Sequence, residues 1–227
     1  MRRGLIGPAI VLALVAAWAV GTQDASAVVA GSKHDFSAFG PQQQQLCLTC
    51  HTAHFAGGTR LLWNHQLSTE NYSWSDVTET LGGTPLPTNI KTWSGTTKNC
   101  LSCHDGTVAV GSLYWKGYNY TGPNPPKLTT TVVGTGQDMK GNHPVAVPYP
   151  YGGVKNTYNA ITTGDRVPLP EFQPMPADVK IFADPSVAAN NRGMECATCH
   201  DPHGTSNNDM LRAPRVGSGI CLRCHVK

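Results

Sequence analysis

The sequence predicts a mostly irregular fold with short helices at four cysteine pairs and little strand, organised around covalently held groups instead of a large apolar core. Three observations predict it. Glycine and proline are abundant, 24 and 17 of 227 residues, while only 14% of residues are charged; such a chain reads as loops and turns. All eight cysteines fall into pairs of one spacing: Cys47/Cys50, Cys100/Cys103, Cys196/Cys199 and Cys221/Cys224. A histidine follows the second cysteine every time, at His51, His104, His200 and His225.

The spacing carries chemistry. Two thiols three residues apart can add across the two vinyl groups on one porphyrin edge, and the adjacent imidazole then turns under the ring to bind iron. This CxxCH pattern is the attachment signature of c-type haem. A disulfide scaffold would use eight cysteines, and zinc knuckles would use CxxC pairs, but neither explains a histidine directly after every pair. The fullest copy is Cys196-Ala-Thr-Cys199-His200-Asp-Pro-His203. Four haems in one chain leave on the order of 50 residues for each, so the porphyrins must supply much of the apolar interior.

Taken in order, residues 1–27 read as a signal peptide. Arg2 and Arg3 precede an apolar run from Leu5 to Val20, and Ala25-Ser26-Ala27 gives the small-residue cleavage pattern. The run contains Gly7 and Pro8 and falls short of the roughly 20 residues a span needs. Residues 28–227 then form a single tetrahaem domain without a membrane span. The formal charge of the chain is +3, and an oxidised haem with two neutral ligands and both propionates ionised brings about −1. Four haems therefore offset it. Basic residues are scattered without a run, which excludes nucleic acid as a partner.

His34 sits in a polar segment before the first pair, where an imidazole is available as a distal iron ligand. A short helix is expected to start at Leu46-Cys47. His54 follows His51 by three residues, and His203 follows His200 by three. At helical spacing both members of such a pair lie near one face, so the second imidazole serves a different haem from the first. His65 ends the run Leu61-Leu62-Trp63-Asn64 and is expected to be delivered from a packed loop. Between 105 and 195 lies a long segment without a motif. There, Tyr114, Trp115, Tyr118 and Tyr120 are available to cover haem faces, and Leu128 to Val133 reads as a short strand. His143 precedes Pro144, which biases it to extended backbone. Prolines 168, 170, 174, 176 and 185 exclude a long helix, so this stretch should wrap the haems as an extended cover.

The order HDFS, CxxCHxxH, LWNH, CLSCHDGTVA, HPV, CxxCHDPHG and CLxCH resembles multihaem c-type cytochromes of the doubled CxxCH class. Within it, the chain is similar to extracellular tetrahaem cytochromes that polymerise into nanowire filaments. The resemblance implies a loop-rich, haem-organised multihaem cytochrome c fold, bis-histidine irons and subunits joined end to end. It further implies other multihaem cytochromes as electron donors and extracellular acceptors such as metal oxides. The corresponding location is extracellular or at the cell surface; a periplasmic soluble carrier shares many of the same motifs.

Histidine counting separates the function classes. A multihaem reductase wants one iron with an open face, and a haem sensor wants an output domain. Here five free histidines, His34, His54, His65, His143 and His203, face four distal seats, which favours electron transfer over an enzyme. Methionine ligation by Met139, Met175, Met194 or Met210 is unnecessary. Bis-histidine haems are low-potential carriers, since replacing an imidazole by methionine raises the potential. The fifth histidine also leaves room for a distal ligand donated to a neighbouring subunit, with His34 the first candidate.

Overall fold

The computed structural model describes residues 29–37, 46–57, 60–80, 83, 85–88, 95–115, 126–148, 178–183 and 192–224. The expected signal peptide, Tyr118, Tyr120, Met175, the prolines at 168–176 and 185, and His225 lie outside the described residues. The described chain is mostly irregular, with short helices and little strand.

The cysteine motifs make the helical turns. Helix α1 (Thr96–His104) carries the second motif, and the one-turn α2 (Cys196–Cys199) carries the third. The first motif is a single turn in which the His51 N–H donates to the Cys47 carbonyl at 2.7 Å. The fourth is a 3-10 turn, Cys221–Arg223. One turn suffices because an α-helical rise of about 1.5 Å per residue puts residues three apart on one side. Helix α1 stops at Asp105, whose N–H donates to Leu101, and Gly106 follows at φ 71°. Left-handed backbone there suits glycine, the usual residue just beyond a helix end.

A small antiparallel sheet ties the middle of the long motif-free segment to its C-terminal end. Its strands β1 (Val147–Pro148), β2 (Phe182–Ala183) and β3 (Arg192–Met194) lie in the order β1-β3-β2. Val147 pairs with Met194, and Phe182 with Gly193. Pro148, which has no N–H to give a ladder, sits on an edge strand as expected. The sheet leads straight into α2. Its Met194 and Val147 join Tyr72, Trp74, Leu86, Leu101 and Met139 in the buried apolar cluster.

One motif thiol borders that cluster. Cys224 is half-buried and packs against the cluster, whereas its partner Cys221 is exposed. The 3-10 turn ends at Cys224, whose backbone lies outside helical values at φ −125°, ψ −25°. A thiol behaves as a small hydrophobe, and apolar neighbours accept it without an unpaired polar group.

The cluster is modest, and buried polar groups do much of the remaining fastening. Asn64, fully buried, donates through Nδ2 to the carbonyls of Leu48 (2.7 Å) and Trp115 (2.8 Å). It accepts the Trp115 N–H at Oδ1. It thereby ties the first motif to residues 113–115. Tyr72 donates from its hydroxyl to the buried Asp105 at 2.7 Å, and burial pushes the Tyr72 phenol well above its usual range.

The strand expected over Leu128–Val133 is absent: the backbone bends there, and Thr131 has φ 58°. A strand would carry the Thr131 carbonyl past the second motif. The left-handed residue instead turns that carbonyl onto His104. Leu61 and Leu62, expected in a packed loop, are 58% and 56% exposed. Among the described residues no helix is long and apolar enough to cross a membrane.

Replacing Asn64 by Ala strands two buried carbonyls and an N–H, so the chain should lose about 3 kcal/mol of stability, given about 1–3 kcal/mol for each buried group left unpaired. Urea denaturation of the haem-loaded protein measures it; a loss below about 1 kcal/mol would show that Asn64 is not a structural tie.

Candidate haem-binding site

Each of the three motif histidines among the described residues has one ring nitrogen already committed. His51 donates from Nδ1 to the Leu61 carbonyl at 2.6 Å, His104 to Thr131 at 3.0 Å, and His200 to Asp209 at 2.9 Å. A carbonyl can only accept, so Nδ1 carries the proton and Nε2 keeps its lone pair. This is the tautomer a metal takes, fixed by its outer hydrogen bond.

Two non-motif histidines stand opposite two of these. The rings of His51 and His203 are 6.2 Å apart between centres with planes 20° from parallel. Those of His34 and His104 are 6.0 Å apart at 61°. His34 likewise has Nδ1 on a carbonyl, that of Pro202 at 3.1 Å, and His203 has Nδ1 3.3 Å from Asp201 Oδ1. A metal–imidazole bond of about 2 Å on each side, plus about 1 Å from each nitrogen to its ring centre, requires about 6 Å. Both pairs meet that requirement, and rotation about the axis leaves the angle between ring planes free. Among the described residues no three histidine, cysteine or carboxylate side chains converge as a bare ion would need. Opposed pairs beside cysteines fit an iron held in a planar macrocycle.

The surroundings agree with that fit. Beside the first motif lies an open cavity of about 450 Å³ lined by Leu46, Cys47, Leu48, His51 and Trp115 among others. Burial pushes the His34 imidazole below its usual range; His104, His203 and His200 nearby act the same way, against the Pro202 carbonyl. It is thus kept neutral, as a metal ligand must be. Burial pushes the thiols of Cys50 and Cys199 up to about 11 and that of Cys103 up to about 12. These are not the electropositive settings of thiolate nucleophiles.

Residues 200–203 form the junction. His200 is a motif histidine, Pro202 holds His34, and His203 faces His51. Arg212, only 10% exposed at its side chain, braces this segment by donating to Asp201 at 2.8 Å and to the Ala197 carbonyl at 2.9 Å. Burial raises the Asp201 carboxyl, but the His203 N–H and the Arg212 charge outweigh it and hold it below its usual range. The first and third motifs also share a backbone arrangement. Thr52 N–H donates to Leu62 and Asn64 N–H to Cys50; correspondingly, Asp201 N–H donates to Met210 and Arg212 N–H to Cys199.

Residues 188–227 match the doubled CXXCH motif family. The match covers the third and fourth motifs and indicates covalently bound haem c and electron transfer, consistent with a multihaem c-type cytochrome. No curated protein matches the chain.

The remaining predicted site residues are placed differently. His65 is buried, with Nδ1 2.7 Å from the Gln66 carbonyl and Nε2 2.9 Å from that of Ala109 and 3.4 Å from Cys103 Sγ. Burial lowers its basicity. His143 donates from Nδ1 to the Pro144 carbonyl at 2.8 Å. His54 is exposed, its N–H on the Thr52 hydroxyl. His34, the first candidate to reach a neighbouring subunit, faces His104 of its own chain. Met139 and Met194 are buried in the apolar cluster, and Cys224 packs against it instead of standing out beside Cys221.

Sequence reasoning missed Glu195. Fully buried, it accepts the Thr97 N–H at 2.9 Å, while the Cys196 N–H donates to the Thr97 hydroxyl. The starts of α1 and α2 are therefore clasped together. Gly95 is required beside it, because a Cβ there would collide with the Glu195 carboxylate. The signal in the sequence was Glu195 with Thr198, a capping box astride α2. Glu195→Ala should cost about 2 kcal/mol, a lost cap plus an unpaired buried donor. Thermal unfolding of the loaded protein checks it, and an unchanged midpoint would rule the clasp out.

Proposed function

We propose that this protein transfers electrons through four covalently attached, bis-histidine c-type haems, as a subunit of an extracellular conductive filament that carries respiratory electrons out of the cell. The observation that carries the reading is the pair of opposed imidazole couples. Cys47 and Cys50 hold the first haem, with His51 and His203 as axial ligands. Cys100 and Cys103 hold the second, with His104 and His34. Cys196/Cys199 with His200, and Cys221/Cys224 with His225, hold the third and fourth, which draw distal ligands from His54, His65 and His143. At the fourth, Cys224 bonds its haem from the margin of the apolar cluster, where a porphyrin edge is as acceptable a neighbour as a side chain.

When bound, haem supplies a one-electron couple whose potential depends on its axial ligands. The chain's own residues keep that couple fast and reversible. Two imidazoles per iron leave no seat for substrate, so electron transfer is favoured over catalysis. Their Nδ1 contacts, to carbonyls for His51, His104 and His34 and to the Asp201 carboxylate for His203, fix ring orientation in both oxidation states, so little has to move. The buried Trp63 Nε1, next to His51, has no acceptor among the described residues and is available to a propionate. Assembly into filaments, reached from the motif resemblance, also has apolar surface to draw on: Phe55, Val216 and Leu222 are exposed.

Four measurements test the reading. Intact mass of native protein should exceed the polypeptide by four haems, and three or fewer would refute the tetrahaem assignment. Electron paramagnetic resonance of the oxidised protein should show only low-spin iron, with carbon monoxide binding the reduced form poorly; a high-spin quarter would favour a reductase. Replacing His203 by Ala should keep all four haems and convert one to high spin, as should His34→Ala. Either variant remaining fully low-spin would break that pairing. Electron microscopy of native protein from outside the cell should show filaments.

A further inference from the structure

The three motif histidines with described surroundings share a feature that their sequences do not. Each donates Nδ1–H to the main-chain carbonyl of a residue with left-handed backbone: Leu61 at φ 74°, Thr131 at φ 58° and Asp209 at φ 57°. The three acceptors differ in side chain and lie 10, 27 and 9 residues after their histidines. All three residues are exposed. What recurs is the backbone conformation and the carbonyl it aims.

That conformation is uncommon for any residue but glycine and a genuine outlier for a β-branched one such as Thr131. Such backbone persists where surrounding structure enforces it, and it clusters at functional sites. Here the enforcement is visible. Next to each acceptor the chain is pinned back onto its motif: Thr52 N–H to Leu62, Val133 N–H to His104 and Asp201 N–H to Met210. The strained residue is thereby held over the imidazole edge. Glycine would reach this conformation without strain, so the sequence tolerates strain in order to direct a carbonyl.

We propose that Leu61, Thr131 and Asp209 are positioning residues whose main-chain carbonyls set the reduction potentials of three haems, by holding each motif imidazole as a strong, fixed donor to iron. The proposal rests on the haem reading. An outer hydrogen bond at Nδ1 raises the basicity of a ligating imidazole. A more basic imidazole favours ferric over ferrous iron and lowers the potential. Removing the carbonyl therefore raises the potential of that one haem and leaves its attachment intact.

Thr131 is the place to test it, being exposed. Thr131→Gly keeps left-handed backbone available. Thr131→Pro fixes φ near −65° and turns the carbonyl away. Both lose the hydroxyl, so its bond to the Thr130 carbonyl cancels in the comparison. On full-chain protein whose mass confirms every haem, spectroelectrochemical titration should give wild-type potentials for Thr131→Gly. For Thr131→Pro one haem should shift upward by a tenfold change in its redox equilibrium, about 59 mV for one electron. Equal potentials in the two variants would overturn the proposal, whereas a missing haem in the wild type would instead refute the haem reading. A measurement on unmodified protein decides the matter if Thr131→Pro fails to mature. The Nδ1 protons of His51, His104 and His200, followed by NMR in deuterium oxide, should exchange far more slowly than those of an exposed imidazole. Exchange at the exposed rate would equally overturn it.

Discussion

An iron in a planar macrocycle takes its two axial ligands from opposite faces, and on the proposed ligation the two opposed histidine pairs answer to that requirement. The attachment motif provides one imidazole together with the thiols, so the other must come from elsewhere. His203 reaches His51 from the far end of the described chain, and His34 is secured by a carbonyl 168 residues away in sequence. Closing loops of that length costs entropy before any contact is gained. The apolar cluster is built on seven buried side chains, a small return against that cost. The covalent groups and their ligand bonds are then the natural source of closure, which is why the chain can be loop-rich and still hold a defined shape.

Backbone and buried polar groups make up what the apolar core lacks. Asn64, Glu195 and Asp105 are all buried and all hydrogen-bonded, and each ties a motif to a distant segment. A buried polar group with its partners in place specifies one arrangement, because every alternative leaves it unpaired. For the proposed chain of redox centres this matters more than overall stability. Distances between haems must not wander, and directional hydrogen bonds restrict them better than non-directional apolar contact.

The sequence displayed the covalent chemistry openly and the geometry hardly at all. CxxCH is a local pattern with a local cause, so the four attachment motifs, the short helical turns and the scarcity of strand were legible from spacing and composition. The expectation that His203 serves another haem than His200 rested on helical spacing, whereas α2 ends at Cys199 and His200 is extended at φ −111°, ψ 144°. Which haem His203 reaches was hidden, because that depends on folding over more than a hundred residues. The run Leu128–Val133 misled because β-branched residues favour strand locally, while Thr131 is bent by the demand for its carbonyl at His104. Backbone carbonyls carry no side-chain signature, and so the acceptors at Leu61, Thr131 and Asp209 left no mark in the letters.

The junction at residues 200–203 links geometry to electron flow. Three residues of extended chain span at most about 10 Å, so His200 and His203 are confined to that separation at the backbone. On the proposed ligation these two histidines belong to different haems, the third and the first, and Pro202 between them secures a ligand of the second. Three redox centres are thereby tethered to one tetrapeptide, and Arg212 clamps it through Asp201. No flexible loop of ordinary length would impose so tight a limit. Near contact among these haems follows from chain connectivity itself, with packing needed only to refine it.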